Sequence, residues 1–263
     1  MNKTNALAPL TRIATGLGVV VLATTLVACG PDEATAAPAA SASPSPVALP
    51  SESASPETSG AAAQASGADA SSLIDEAAKS ARILRSVRAE YSTTGIENLL
   101  AKSYAAEITT TPSVASRGTA NLKIQGAYRQ SDFRTIDGKL WIKGTDGKFV
   151  DAGPARGKFD PAVLLDPQRG LAALIASTES AKIDGGPAKL DGKDTVKVAG
   201  TLPTAAAAVL VPRESLGERD EVPVTLWFTP NKPNDLVQLI IKAGDSSITL
   251  KLSKGEPFTI AAG

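Results

Sequence analysis

The sequence predicts an α+β fold, an antiparallel sheet of roughly nine to eleven strands that curls around roughly three or four short helices. Three observations predict it. From Val87 onward, apolar residues alternate with polar ones at a period of two through much of the chain. Asp-Gly pairs at 137–138, 146–147 and 191–192 punctuate that alternation as tight hairpin turns. The apolar stretches at 161–177 and 204–210 are helical in pattern but short, so they suit the concave face of a sheet rather than its edge.

Taken in order, Ser72 with Asp75 forms a variant capping box, and Leu73, Ala77, Ala81, Leu84 and Val87 recur at helical spacing. This predicts an amphipathic helix over 72–87, whose Lys79, Arg82, Arg85 and Arg88 lean toward its C-terminal end, as the macrodipole favours. Strands follow through Val87–Thr93, Tyr104–Ile108, Ala120–Ile124, Lys139–Lys143 and Lys148–Val150. Antiparallel pairing with one polar face is the natural arrangement for such segments. Asp160-Pro161 and Asp166-Pro167 each read as an N-cap followed by a first helical residue. The first starts a piece through Leu165. The second starts a piece with Leu171, Leu174 and Ile175 on one face. After Asp184-Gly185-Gly186 the strand pattern returns at Thr195–Leu202. An alanine-rich helix covers 204–210, and strands at Val222–Thr229, Leu236–Ala243 and Ser247–Ser253 complete the sheet.

The N-terminus has a different character. Lys3 and Arg12 precede an apolar run from Ile13 to Ala28, the pattern of a secretory signal over residues 1–28. The run is about 16 residues, short of the roughly 20 that span a bilayer, which argues against an uncleaved transmembrane anchor. Leu26-Val27-Ala28-Cys29 closes it with the only cysteine of the 263-residue chain. That fits a bacterial lipobox, in which the thiol of Cys29 takes a diacylglycerol and Cys29 becomes the new N-terminus. The expected location is therefore the extracytoplasmic face of the cell membrane, with a lipid anchor. Residues 30–70 are Ala, Ser, Pro, Gly and a few acids, with only Val47 and Leu49 as larger aliphatics. Such a stretch cannot bury enough surface to offset its ordering entropy, so 29–70 reads as a lipidated tether with an r.m.s. span of roughly 35 Å. Residues 71–263 are left for one folded domain.

Composition excludes several function classes. The formal net charge is zero, so nucleic acid is not an implied partner. The chain has no histidine, which removes the commonest general base and the commonest zinc ligand together. There is no cysteine cluster, phosphate-binding loop or Gly-x-Ser-x-Gly elbow, so no metal, cofactor or catalytic residue is assigned and the chain is not read as an enzyme. Asp191 with Asp194, and Glu218 with Asp220 and Glu221, are acid pairs that hydrolysis would require, but turn context favours solvated loops. Trp141 and Trp227 fall on the opposite parity to their apolar neighbours, which places them half-buried on the convex face, with membrane or partner contact as the functional alternative.

Two stretches carry a family resemblance. One is Phe159-Asp160-Pro161 through Leu164-Leu165-Asp166 to Arg169-Gly170-Leu171. The other runs from Gly192 to Thr201 and is followed by Pro223-Val224-Thr225-Leu226-Trp227. With the lipobox, the tether and the order helix–strands–helix–strands, the chain resembles the mycobacterial LppX/LprA/LprF/LprG lipoproteins over most of residues 72–260, and most of all their LprF branch. The long tether and the alanine-rich stretch from Thr204 to Val211 depart from that pattern. The resemblance implies a half-barrel sheet with helices on its concave face around a large apolar cavity. It also implies an acylated glycolipid or triacylglycerol-like lipid as ligand, carried or presented in the cell envelope by a monomer. The alternative is an adaptor or sensor lipoprotein that binds a membrane protein through its outer surface.

The lining candidates are Leu122, Ile124, Val198, Leu226, Phe228, Leu239, Ile241, Ile248 and Leu250 on strands, with Val163, Leu164, Leu171, Leu174 and Ile175 on helices. On periodicity alone a solid core is the plainer reading. The scarcity of aromatics, 4% of the chain, and the resemblance favour a cavity, one exceeding the roughly 300–1,000 Å³ of a drug-sized site.

Overall fold

The computed structural model describes residues 67–260; the signal sequence, Cys29 and nearly all of the tether lie outside them. Helix α1 spans Gly67–Ile83. Its buried stripe is Ala70, Ile74, Ala77 and Ala78, with Leu73 and Ala81 packed alongside. The helix thus starts and ends about one turn earlier than the 72–87 expected. Ser72 is an exposed residue inside it rather than its cap. Val87 belongs instead to the sheet, opposite Ile108 and Lys254. Its helical spacing from Leu84 is coincidental, because strand pairing on both sides satisfies its backbone.

Twelve strands form the sheet. They are β1 (Ser86–Thr94), β2 (Ala101–Thr109), β3 (Ala115–Ile124), β4 (Ala127–Ile136), β5 (Lys139–Lys143), β6 (Phe149–Pro154), β7 (Glu179–Ile183), β8 (Ala188–Leu190), β9 (Lys193–Pro203), β10 (Glu221–Phe228), β11 (Leu236–Ala243) and β12 (Ser246–Lys254). Their order is β6-β5-β4-β3-β2-β1-β12-β11-β10-β9-β7, with β8 paired to β9 alone. Every pairing is antiparallel. The end strands β6 and β7 do not meet, so the curved sheet stays unclosed. The strand count exceeds the expectation, and three strands fall where the alternation predicts none: β4, β7 and the three-residue β8, which carry few or no buried residues and so little apolar alternation to be seen in sequence.

Alternation fixes which face is buried. One inward row runs in register through Ala120, Tyr104, Tyr91, Leu250, Leu239, Leu226, Val198 and Ile183. Leu226, Leu239, Leu250 and Val198 in that row are fully buried. Close approach governs one strand pair in this sheet. A Cβ at Gly200 would lie 2.7 Å from the Glu179 carbonyl oxygen, so glycine lets β7 approach β9.

The convex face carries the tryptophans, both half-buried as expected. The Arg134 guanidinium lies 5.5 Å from the Trp141 ring centre and 4.4 Å from that of Phe149, so a cation covers this pair of rings. The acid groups are all exposed. Asp191, Glu218 and Asp220 sit in turns or loops as expected, whereas Asp194 and Glu221 lie at the start of β9 and β10, because pairing of those strands begins a residue or two earlier than the alternation suggests. Asp191 accepts from the Lys251 ammonium at 2.8 Å and Asp194 pairs with Lys189 at 3.3 Å. Among the described residues no cluster of acids, histidines or cysteines is placed to hold a metal ion.

The helical connectors sit on the inner face. Pro161–Leu165 forms a 3₁₀ turn whose cap, Asp160, accepts from the Ala162 amide at 3.2 Å. Helix α2 covers only Leu171–Ala176, with Gly170 as its cap, so Asp166-Pro167 does not begin it. The Asp166 carboxylate instead closes a separate turn, accepting from the Gln168 amide at 2.9 Å and the Arg169 amide at 3.2 Å. Helix α3 is shorter than expected, Thr204–Ala207, and a second 3₁₀ turn at Arg213–Leu216 follows it.

Candidate functional site

Where these connectors face one another they leave an open cleft of about 940 Å³. One wall is the loop from Arg156 to Asp160, the 3₁₀ turn after it, and α2. The other is the segment from Pro203 to Pro212. Tyr104 of β2 contributes from the sheet. The walls are mainly Val163, Leu164, Ala173, Leu174, Val209, Leu210 and Val211. Their shape follows from local sequence. Proline at the start of the turn fixes its first dihedral. The cap at Asp160 stops the strand region, and the alanines at 205–208 leave space where larger side chains would fill it.

Gly170 holds the α2 wall in place. A Cβ there would come within 2.6 Å of the Val163 and Asp166 carbonyl oxygens, and nearer still to that of Leu164. Only glycine lets the start of α2 press onto the preceding turn. This gives a steric reason for the glycine in the Arg169-Gly170-Leu171 stretch.

Aromatic rings continue the floor of the cleft into the sheet. Tyr91 and Tyr104 stack at 4.8 Å, and Tyr104 meets Phe159 edge-on at 5.5 Å. Phe159 meets Phe133 edge-on at 4.7 Å. The Tyr91 hydroxyl donates to the Leu210 carbonyl oxygen at 3.0 Å, which ties the sheet to the opposite wall. Burial pushes both tyrosine hydroxyls well above their ordinary range, the neighbouring phenol adding to the effect at Tyr104, so both stay neutral donors. Sequence reasoning passed over this row. Its one available signal was the inward parity of Tyr91 and Tyr104; nothing local joins Phe159 to Phe133.

The mouth is cationic. Arg156, Lys158 and Arg169 border it, with Asp160 as the acid between them. Arg169 is held by the Asp166 carboxylate through Nη2 at 2.6 Å and Nε at 3.0 Å. That contact keeps Asp166 below the usual carboxylate range. Asp160 is shifted the other way, upward, by burial. Lys158 donates to the Ala152 carbonyl oxygen at 3.0 Å.

The expected lining residues divide three ways. Val163, Leu164 and Leu174 line this cleft. Leu171 and Ile175, on the other side of α2, line a smaller one of about 390 Å³ beside α1, β11 and β12. Leu122, Val198, Leu226, Phe228, Leu239, Ile241, Ile248 and Leu250 are fully buried in the core, Ile124 packs partly buried against it, and none of the nine borders either cleft. The cleft lies within the drug-sized range rather than beyond it. Inward aromatics and the two leucines of the connectors occupy space that an empty half-barrel would leave.

A family model described as LppX_LprAFG lipoprotein matches residues 69–260. The lipoarabinomannan carrier protein LprG of Mycobacterium tuberculosis is 30% identical over 188 residues, covering 71% of this chain and 78% of that one. The crystal structure of LprF from Mycobacterium bovis superposes with a TM-score of 0.67 at 27% identity, over 74% of this chain and 96% of that one. That of the lipoprotein LppX from Mycobacterium tuberculosis gives a TM-score of 0.57 at 24% identity, over 74% and 100%, a likeness of fold. The match covers the whole sheet, the inner connectors and the cleft between them, and on that ground the chain belongs to the LppX_LprAFG lipoprotein family.

Proposed function

We propose that this protein is a lipid carrier of the cell envelope, lipidated at Cys29 and held on the extracytoplasmic face of the membrane as a monomer. The cleft receives acyl chains of an acylated glycolipid or triacylglycerol-like lipid. Val163, Leu164 and Leu174 contact them, and Leu171 and Ile175 extend the apolar surface on the far side of α2. The packed strand residues, from Leu122 to Leu250, form the rigid base. The observation that carries this reading is an apolar cleft of about 940 Å³ on the inner face of a sheet shared with a lipoarabinomannan carrier's family.

The magnitudes suit carriage without covalent chemistry. Each buried methylene is worth roughly 0.8 kcal/mol, so a sixteen-carbon chain resists water by about 12 kcal/mol. Free diffusion of a multi-acyl lipid is then negligible. Transfer from a bilayer into an apolar cleft costs little by comparison, and the polar mouth stays with the head group. Native mass spectrometry of the purified protein tests this. Co-purified species of lipid mass, displaced in a Val209→Trp variant, are the expected result. A clean apo mass for wild type expressed in an actinobacterial host overturns the reading and favours an adaptor.

A further inference from the structure

Among the described residues three large apolar side chains stand exposed: Ile83 at 71%, Val114 at 54% and Val150 at 59%. Two of them share one end of the molecule. Ile83 ends α1, and Val114 sits in the β2–β3 loop. The two segments are bound together at Arg85. Its carbonyl oxygen accepts from the Thr110 amide at 2.8 Å and from the Thr109 and Thr110 hydroxyls, each at 3.3 Å. The Thr109 hydroxyl also braces its own loop, accepting from the Thr111 amide at 3.1 Å and sharing its one proton between the Arg85 carbonyl oxygen and that of Thr111 at 2.8 Å. Two separate loops are thereby held as one surface.

The charge there is lopsided. Arg82 and Arg85 flank Ile83, are exposed, and have no side-chain partner among the described residues. Lys254, at the end of β12 opposite Val87, adds a third exposed cation. The nearby acids are Asp235, which accepts from the Ser80 hydroxyl of α1 at 2.7 Å, Asp137, in the turn after Ile136, which pairs with Ala115, and Glu256, whose carbonyl oxygen accepts from the Ser86 hydroxyl at 2.8 Å. Glu107 is taken up by Arg88 and Arg117 together. Of the acids of α1 itself, Asp69 lies in its first turn and Asp75 and Glu76 at its middle, where Lys79 and Lys232 take up Glu76. Helix-dipole complementarity accounts for an arginine at this position but not for the exposed isoleucine between two of them. Apolar side chains ringed by unpaired cations match the interface of a bilayer with anionic head groups. The smaller cleft opens beside the same end, lined there by Ala81, Leu84 and Val87.

We propose that the α1–β1 connection and the β2–β3 loop form a peripheral docking tip. Ile83 and Val114 enter the head-group region of an anionic membrane, and Arg82 and Arg85 contact lipid phosphates. This orients the domain independently of whether the cleft is loaded.

The test uses the chain from residue 29 onward carrying Cys29→Ala, so that neither acylation nor the apolar run at 13–28 contributes, and phosphatidylcholine vesicles with or without phosphatidylglycerol. Co-sedimentation with the anionic vesicles is expected, falling with added salt. Arg82→Glu and Arg85→Glu should each weaken it roughly fivefold or more. Ile83→Asp should weaken it roughly tenfold. Val150→Asp, an equally exposed valine on edge strand β6, should leave it unchanged. With Cys29 removed the chain has no other thiol, so a fluorophore on Ser113→Cys should shift to the blue on the anionic vesicles alone. Thermal melts should show every variant folded, because each site is exposed. Absence of binding to either vesicle, equal binding to both, or equal loss in Val150→Asp overturns the proposal.

Discussion

The sheet half β9–β12 and the connectors at 156–176 and 203–212 draw on the same aliphatic residues, yet one half is solid and the other encloses a cleft. On the strands, Val198, Leu226, Leu239 and Leu250 stand in one register row, each backbone paired on both sides and each side chain fully buried. In the connectors, α2 has six residues and α3 four, and neither has a side-chain cap bond. Helices of one turn or so cannot present a continuous stripe, so they pack against the sheet at points and leave space between them. Regular pairing produces close packing, and short irregular segments produce room for a ligand.

The largest effect expected from this contrast is in the sheet. Leu226→Ala should cost about 2–5 kcal/mol, read as a lowered urea midpoint. A cost below about 1 kcal/mol would mean that this half is as loosely packed as the connectors. Val198→Trp should overpack the same row, and Ile241→Trp the neighbouring row of Val224, Ile241 and Ile248, by about 1–3 kcal/mol each. Unchanged melts in those two would place unfilled space behind the strands.

Gly170→Ala sharpens the comparison from the connector side. Its new methyl meets three carbonyl oxygens, so α2 must shift, at a cost of about 1–3 kcal/mol. Retained lipid would then be lost with the displaced wall. Tolerance of alanine with full stability would show that α2 is not pressed onto the preceding turn.

Cleft residues should respond in the opposite way from the core. Val163 and Val209 are half-buried at the cleft, so Val163→Trp and Val209→Trp should change stability by less than about 1 kcal/mol while reducing co-purified lipid. A large stability loss with lipid unchanged would put the ligand elsewhere.

The smallest effect is electrostatic. Asp166 is held below its ordinary range mainly by its bonds from Arg169, so its contribution is present above about pH 4 and is lost as pH falls through the lowered value. Asp166→Asn should cost less than about 1 kcal/mol at pH 7, the difference vanishing in acid. Asp160 has the reverse sign. Burial raises it, so its ionised form opposes folding above the raised value, and that penalty disappears as pH drops below the unfolded value. Asp160→Asn, which keeps an oxygen for the Ala162 amide, should therefore gain on wild type toward neutral pH. Matching pH profiles for the two variants would contradict these opposite environments.

Much of this was legible locally. Parity placed Leu122, Leu226, Leu239 and Leu250 on the buried face, and Asp-Gly pairs located the turns before β5 and β9. The limits of α1 and α2 were less legible. Val87 satisfies both a helical and a strand period, and the pairing of β1 with β12 decides between them. Asp166 before a proline has the chemistry of a helix cap, but its carboxylate closes a turn and Gly170 caps the helix.

By itself the sequence determined the antiparallel sheet, its inward face and the apolar character of the connectors, because each depends on neighbours a few residues apart. Tertiary structure alone decided which apolar side chains meet space and which meet one another. Leu174 and Ile175 are adjacent and equally buried, yet they border different clefts on opposite sides of α2. The row from Tyr91 through Tyr104 and Phe159 to Phe133 joins residues far apart in the chain. A period of two says which way a side chain points. It does not say what stands opposite, and a cavity is defined by what stands opposite.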